Sequence, residues 1–291
     1  MRRSMLFIPG NAPKMIYNCP YLGTDAIIFD LEDAVAPAEK DAARVLVRNA
    51  VQAVALDQSE VIVRINSVDT AYWQKDLETI VPCKPDFIML PKSSCPEDIQ
   101  TAADYLTLCE KQQGIEEGTI GMIALIETAL GVENAFRIAT ASKRVKALFL
   151  GAEDLSADLR CKRTKEGAEI LYARGRLVMA ARAANIDAYD TPFTDVEDDA
   201  GMLADAKFAK SLGFTGKAAI NPRHVGVINE VFSPTEAEIA YAHEVMEAIA
   251  EAKAQGKGAI ALHGKMIDAP IVARAEQTLA AAEQIAQRGG F

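Results

Sequence analysis

At 291 residues, half of them hydrophobic, the chain has material for one large core, arranged as one α/β barrel or two smaller domains. Thirty-one basic against 41 acidic side chains leave a net charge of −10, which argues against a nucleic-acid-binding or anionic-membrane surface, so any anionic ligand must be held locally. The five cysteines (Cys19, Cys83, Cys95, Cys109, Cys161) are widely spaced with no Cys-x-x-Cys pair; they suggest neither a disulfide framework nor a zinc site, and point to a reducing cytoplasm. Four apolar residues before Pro9 are too few for a signal-peptide core, and no apolar run is long enough to span a bilayer.

In chain order, Met5–Ile8 is a short apolar run closed by Pro9-Gly10, followed by a helical stretch over Ala12–Cys19 and the run Ala26-Ile-Ile-Phe-Asp30. Strand, helix, strand is the first repeat. Residues 38–56 are amphipathic; Val61-Ile-Val-Arg-Ile65 is a third strand with a charge near its end, and Phe87-Ile-Met-Leu-Pro91-Lys92 a fourth. Ser94-Cys-Pro-Glu97 has capping-box spacing, with proline just inside a helix start. Ile120–Glu127 and Lys146–Asp154 read as buried strands that each end in a carboxylate, joined by a helically spaced segment over 131–142. The right-handed crossover rule returns the second strand parallel to the first, so Glu127 and the Glu153/Asp154 pair emerge at the same end of the sheet. A helix over 164–184, a strand Ile186–Asp190, a helix over 196–212 and a strand over Gly216–Asn221 complete the series.

Eight strands alternating with helices, without a G-x-G-x-x-G or Walker sequence, predict an α/β fold, a (β/α)8 TIM barrel over residues 1–225, rather than an open doubly wound sheet. Barrel chemistry sits at the C-terminal strand ends, where the chain carries Asp30, Glu32, Asp33, Arg64, Lys92, Glu127, Asp154, Asp190 and Asn221. Residues 226–291 are expected to form a C-terminal helical extension. Ser233-Pro-Thr-Glu236 opens a helix to about Ala254, Gly256-Lys-Gly258 is a turn, residues 259–267 form a hairpin turning at His263-Gly264, and Asp268-Ala-Pro starts a final helix. Such a short segment is too small for a robust core of its own, so it should pack on the barrel or on a neighbouring subunit.

Two carboxylates at one mouth repel unless a cation balances them, and Mg2+ binds through one or two carboxylates plus water and substrate oxygens. The plainer reading is that Glu127 and Asp154 each cap a following helix. Lys92 raises the possibility of a Schiff base with a ketone substrate, although a strand-end lysine is more often salt-bridged or solvated. His224, His243 and His263 lack metal-ligand spacing. Arg160-Cys-Lys-Arg-Thr-Lys165 places four positive charges in six residues just after Asp154, which suggests an anionic partner or a solvated loop.

Eight motifs in order, Leu6-Phe-Ile-Pro-Gly10, Phe29-Asp-Leu-Glu-Asp-Ala34, Val63-Arg-Ile-Asn66, Leu90-Pro-Lys92, Ile126-Glu127, Leu150-Gly-Ala-Glu-Asp154, Ile220-Asn-Pro222 and Gly264-Lys-Met-Ile-Asp268, cover nearly the whole chain. Together they resemble the β subunits of bacterial citrate lyases, within the citrate lyase/malyl-CoA lyase (HpcH/HpaI aldolase) superfamily. Gly-Ala-Glu-Asp followed by Cys161-Lys-Arg-Thr-Lys-Glu-Gly167 leans towards citrate lyase over coenzyme A relatives. The resemblance implies a Mg2+-dependent carbon–carbon lyase that cleaves a citryl thioester on an acyl carrier protein to oxaloacetate and the acetyl thioester. It implies that Glu127 and Asp154 hold the metal, with Glu127 also against the substrate, and that Arg64 grips a substrate carboxylate. Asp268 is implied to reach into a neighbouring subunit's site and exchange the proton at the enolate carbon, although an aspartate two residues before Pro270 is also a natural helix cap. Asp30, Glu32, Asp33 and Lys92 are expected to surround this core, the three carboxylates orienting Arg64, Lys92 or metal-bound water. The implied partners are citrate lyase α and γ subunits and further copies of the chain, as a trimer or hexamer. A malyl- or citramalyl-coenzyme A lyase is the alternative that the same residues could serve; a non-catalytic scaffold subunit is disfavoured, because a decayed site would lose charges that are costly to cluster.

Overall fold

The apolar runs become eight parallel strands that close into a barrel in sequence order: β1 (Ser4–Pro9), β2 (Ala26–Asp30), β3 (Glu60–Arg64), β4 (Phe87–Leu90), β5 (Gly121–Ile126), β6 (Val145–Leu150), β7 (Asp187–Asp190) and β8 (Gly216–Ala219), with β8 pairing back onto β1. Alternate side chains point inward, and Met5, Ile28, Ile62, Met89, Ile123, Leu125, Phe149 and Tyr189 fill the interior. At the N-terminal end the Arg2 guanidinium stacks over Phe87 at 4.3 Å and donates to the Tyr189 hydroxyl at 2.8 Å, so the barrel is floored there and its chemistry has only the opposite mouth. This is a computed structural model, describing residues 1–54, 56, 58–254 and 260–287. The chain divides into two compact units, Arg2–Asn229, and Glu230–Phe291 with Met1.

Between the strands run α1 (Pro13–Asn18), α2 (Lys40–Ala53), α3 (Trp73–Ile80), α4 (Pro96–Gln112), α5 (Ala129–Glu133), α6 (Ala135–Ala139), α7 (Ala152–Asp158), α8 (Leu171–Ala183) and α9 (Asp199–Leu212), and α10 (Arg223–Phe232) follows β8. Helix α3 lies in a segment for which no element is expected, and its Trp73, Leu77 and Ile80 are buried at helical spacing. The helix expected over 131–142 is two short ones, and the helix expected from Thr164 starts at Leu171. Thr164 instead belongs to a loop held by Glu169, whose carboxylate accepts from the Thr164 amide and hydroxyl, and Gly167 turns through a left-handed φ of 66°. The α4 capping box lies one residue later than Ser94: Cys95 caps, and Asp98 accepts from the Ser94 and Cys95 amides.

The second unit holds α11 (Glu236–Ala254), an antiparallel hairpin of β9 (Ile260–Leu262) and β10 (Lys265–Ile267), and α12 (Ala269–Gln287). Its capping box is Thr235 with Glu238, two residues beyond the expected Ser233 and Glu236. Ala242, Val245, Ile267 and Ala275 form a small core, and the hairpin turns at His263-Gly264 with φ of 49° and 76°. The expected turn at Gly256-Lys-Gly258 lies outside the described residues. Among the described residues no helix is long and apolar enough to cross a membrane.

Candidate active site

Strand β2 ends in Asp30, 2% exposed, whose two oxygens take the Arg64 Nε and Nη2 of adjacent β3 at 2.7 and 2.6 Å and accept the amides of Glu32 and Ala34. Burial alone would raise the Asp30 carboxyl, but the guanidinium fork and the two amides outweigh it and hold it below the ordinary carboxylate range. Arg64 is thereby fixed in one plane, 5.1 Å from the Phe7 ring centre, and stays charged: burial works against it, and Asp30, Glu32 and Asp33 more than compensate. Glu32 lies 3.2 Å from Arg64 Nη1 and 3.0 Å from Lys92 Nζ, and Asp33 is 3.7 and 4.0 Å from the same two cations.

The loops carrying these groups are tied from below. Buried Lys40 of α2 donates to the carbonyls of Leu31 and Glu32 at 2.8 and 2.7 Å. Asp76 of α3 accepts from the Asn66 amide and side chain and from Arg44, and Asn66 returns a bond to the Leu31 carbonyl. Helix α3, absent from the sequence reading, therefore braces the Arg64 strand end.

Directly after strand β5 comes Glu127, 3% exposed, whose Oε1 accepts the Lys92 amide at 2.6 Å. Lys92 reaches this position with a left-handed φ of 51°, an unfavourable conformation for a residue with a Cβ. Gly151, at the end of β6, makes room from the other side: a Cβ there would meet Glu127 Oε2 at 2.6 Å. Asp154 sits in the first turn of α7, where the helix N-terminus favours negative charge. Burial chiefly, then Glu32, with Asp154 adding to it, pushes the Glu127 carboxyl up to about 8. Glu32 is raised too, burial first, and neither of its oxygens has a directed hydrogen bond despite the nearby cations.

Two cavities of about 450 and 550 Å3 share Glu127 and Asp154 as a common wall. The smaller is lined by Phe7, Leu125 and Phe149 together with Asp30 and Arg64; the larger by Ser67, Asp69, Lys92 and Ser94 among others. The arrangement suits a hard divalent cation. No three His, Cys, Asp or Glu side chains among the described residues make a ready cage, but such an ion needs only one or two carboxylates when water and ligand complete its shell. The raised Glu127 carboxyl and the undirected Glu32 oxygens are the groups a bound cation would relieve.

Not every strand-end residue joins them. Asp190 is fully buried in a quartet with Arg174, Asp205 and Lys217, all contacts 2.6 to 3.0 Å, and Asn221 caps α10 by accepting the Arg223 amide. The quartet is structural, and its cations come from α8 and β8, where spacing gave no hint of them. Asp268 lies in the second unit, exposed, and its Oδ1 accepts the Ile271 amide at 3.1 Å as the α12 cap. In the basic run, Arg163 pairs with Glu153 and Glu169, and Lys165 with Asp195 and Asp198. His224 is buried with neither ring nitrogen hydrogen-bonded, and His263 meets Glu244 at 2.7 Å.

Residues 3–222 match the family described as HpcH/HpaI aldolase/citrate lyase. The citrate lyase subunit beta of Leuconostoc mesenteroides subsp. cremoris is 44% identical over 279 residues, 96% of this chain and 92% of that protein. The mitochondrial citramalyl-CoA lyase of Homo sapiens is 34% identical over 297 residues, 99% of this chain and 87% of its own. Among solved structures, the citrate lyase beta subunit from M. tuberculosis complexed with oxaloacetate and magnesium superposes with a TM-score of 0.67 at 30% identity, covering 80% of this chain and 97% of that one.

Proposed function

Since the chain belongs to the HpcH/HpaI aldolase/citrate lyase family, we propose that it is a carbon–carbon lyase of the citrate lyase β-subunit type, cleaving a citryl thioester on an acyl carrier protein to oxaloacetate and the acetyl thioester. The observation that carries this reading is the pair Glu127 and Asp154 on the wall shared by two cavities, with the fixed cation Arg64 on one side. Glu127 and Asp154 would hold Mg2+, which supplies, when bound, Lewis-acid polarisation of the substrate's hydroxyl and adjacent carboxylate.

The chain's own residues do the rest. Asp30 takes the Nε side of Arg64, which leaves the Nη1/Nη2 edge to grip a substrate carboxylate. Glu32 and Asp33 face Nη1 of that edge at 3.2 and 3.7 Å, and a substrate carboxylate would take their place there. Phe7, Leu125 and Phe149 exclude water from the apolar cavity, where the charge of the departing enolate is contained. Lys92 fixes Glu127 through its amide. Burial would lower the Lys92 ammonium, but Glu32 overrides it and raises it, which keeps the amine protonated and unfit to attack a ketone. Asp268 exchanges the proton at the enolate carbon in a neighbouring subunit's site, within a homo-oligomer, a trimer or hexamer, that works with citrate lyase α and γ subunits in the cytoplasm.

A coenzyme A thioester is the second reading, favoured by the likeness to citramalyl-CoA lyase. The two separate in one assay. Purified protein with Mg2+ is offered citryl-carrier protein, citryl-coenzyme A, malyl-coenzyme A and citramalyl-coenzyme A, and keto acid is measured. Oxaloacetate formed fastest from citryl-carrier protein is the expected result; glyoxylate or pyruvate from the other thioesters, with no oxaloacetate, would replace this reading by the second.

A further inference from the structure

Helix α7 brings Asp154 to the mouth without a cap of its own. The first amides of a helix have no partner inside it, and the residue just before the helix usually supplies an acceptor when it is Ser, Thr, Asp or Asn. Here that residue is Gly151, and a side chain cannot be added to it, because a Cβ would meet Glu127 Oε2 at 2.6 Å. Glu127 occupies the space a cap would need. The amide of Ala152, first in the helix, is accepted instead by Thr191 Oγ1 at 3.3 Å, directly after strand β7. Ala152 and Thr191 are each 1% exposed, so bulk water does not stand in for the hydroxyl.

Thr191 is itself held. Lys217 Nζ donates to its carbonyl at 2.6 Å, and Pro192 after it favours extended backbone. Through this bond the buried quartet of Arg174, Asp190, Asp205 and Lys217 reaches the cavity wall, since Thr191 lines the smaller cavity with Glu127 and Asp154. The far end of α7 is fastened separately, where Asp158 Oδ2 accepts the Ala129 amide at 2.7 Å, just past Glu127. With both ends tied to neighbours, this short helix keeps Asp154 at a set distance from Glu127.

We infer that Thr191 is a positioning residue for the divalent ion: by capping α7 from the neighbouring strand end it fixes the first turn, and with it the separation of Asp154 from Glu127. The inference rests on the reading of those two carboxylates as the ion's ligands. Thr191 acts through the Ala152 amide and not by ligating the ion. Groups standing behind metal ligands in this way set the affinity, and their loss typically costs about 10- to 100-fold.

The test titrates the full chain with Mg2+ by calorimetry, without substrate, for the wild type, Thr191→Val, Thr191→Ser and Asp154→Asn, and records the melting temperature of each. Thr191→Val keeps the shape and loses the acceptor, so its Mg2+ dissociation constant should rise about 10- to 100-fold. Thr191→Ser restores the hydroxyl and should bind close to the wild type; Asp154→Asn should bind least. If the valine protein does not fold, Thr191→Ala removes the same acceptor with less crowding of the amide and should show the same rise. A folded Thr191→Val or Thr191→Ala protein that binds Mg2+ as tightly as the wild type, while Asp154→Asn does not, would overturn the inference and leave the metal reading standing. In that case a lowered melting temperature assigns Thr191 to stability alone, and a raised KM for the thioester makes it a substrate contact. Undiminished Mg2+ binding by Asp154→Asn would overturn the metal reading, and the inference with it.

Discussion

Arg64 shows how much of the site depends on shape as well as charge. Its Nε and Nη2 are spent on Asp30 and its Nη1 faces Glu32 at 3.2 Å, a planar fork that a point charge on a flexible stem cannot replace. Arg64→Lys should lose about 1.5–3 kcal/mol in kcat/KM, roughly 10- to 150-fold, the worth of a charged hydrogen bond. An unchanged kcat/KM would reduce Arg64 to a general positive charge. Glu127 carries a pH signature. Its carboxyl ionises only near 8 in the fold against an ordinary 4.5, so the stability tied to its protonated form is full below about 4.5 and is lost as pH rises through 8. Glu127→Gln does not share that loss, and its unfolding free energy should gain on that of the wild type between pH 5 and 8, by an amount of order a few kcal/mol. A constant difference across that range would show that burial does not hold Glu127 protonated. The residue types were legible in the sequence, because an apolar run that stops at a charge marks a strand end. What each charge does was less so. Asp190 looked like Glu127 in sequence, yet Arg174 and Lys217, distant in the chain, neutralise it and turn it to structure.

At the scale of elements, the site is held by what stands behind it: α2 through Lys40, α3 through Asp76, and the junction of β6 and α7 through Gly151. Gly151 has φ −99° and ψ 91°, a conformation alanine adopts freely, so it is space that demands glycine, taken first by Glu127 and then by Leu125, whose Cδ1 would lie 3.2 Å from a Cβ. Gly151→Ala should therefore move the Glu127 carboxylate and lower kcat/KM by at least about tenfold, with the melting temperature little changed. Full activity in that variant would mean that Glu127 can shift without consequence. The strands were readable because doubly covered parallel strands are unbroken apolar runs. Helix α3 was not, since its three buried apolar residues are spread through an otherwise polar segment. Likewise the loop before Leu171 has helix-compatible composition, and only the Glu169 contacts and Gly167 stop the helix from starting early.

For the whole molecule, closure of eight strands turns separate strand-end charges into one mouth, and alternation in the sequence was enough to foresee that. The second unit was readable as helix, hairpin and helix, but its function was not: Asp268 caps α12, a role its sequence setting already allowed. The proposed part it plays in a neighbouring site has a direct consequence. Mixed oligomers of Asp268→Ala and Glu127→Ala chains, each inactive alone, should regain part of the activity, because some sites would combine an intact barrel with an intact tail. Hybrids seen by native mass spectrometry yet still inactive would leave Asp268 as a cap, or as a member of its own chain's site.

The central claim is that the carboxylates at this mouth work through a divalent ion on a citryl thioester. Oxaloacetate release from citryl-carrier protein, measured for the wild type and Glu127→Gln with Mg2+ and again after chelation, tests it most directly. Turnover by the wild type is expected to stop on chelation and return with Mg2+, and the variant to lose activity on the order of a hundredfold or more. Turnover that survives chelation, or a Glu127→Gln protein as fast as the wild type, would contradict it.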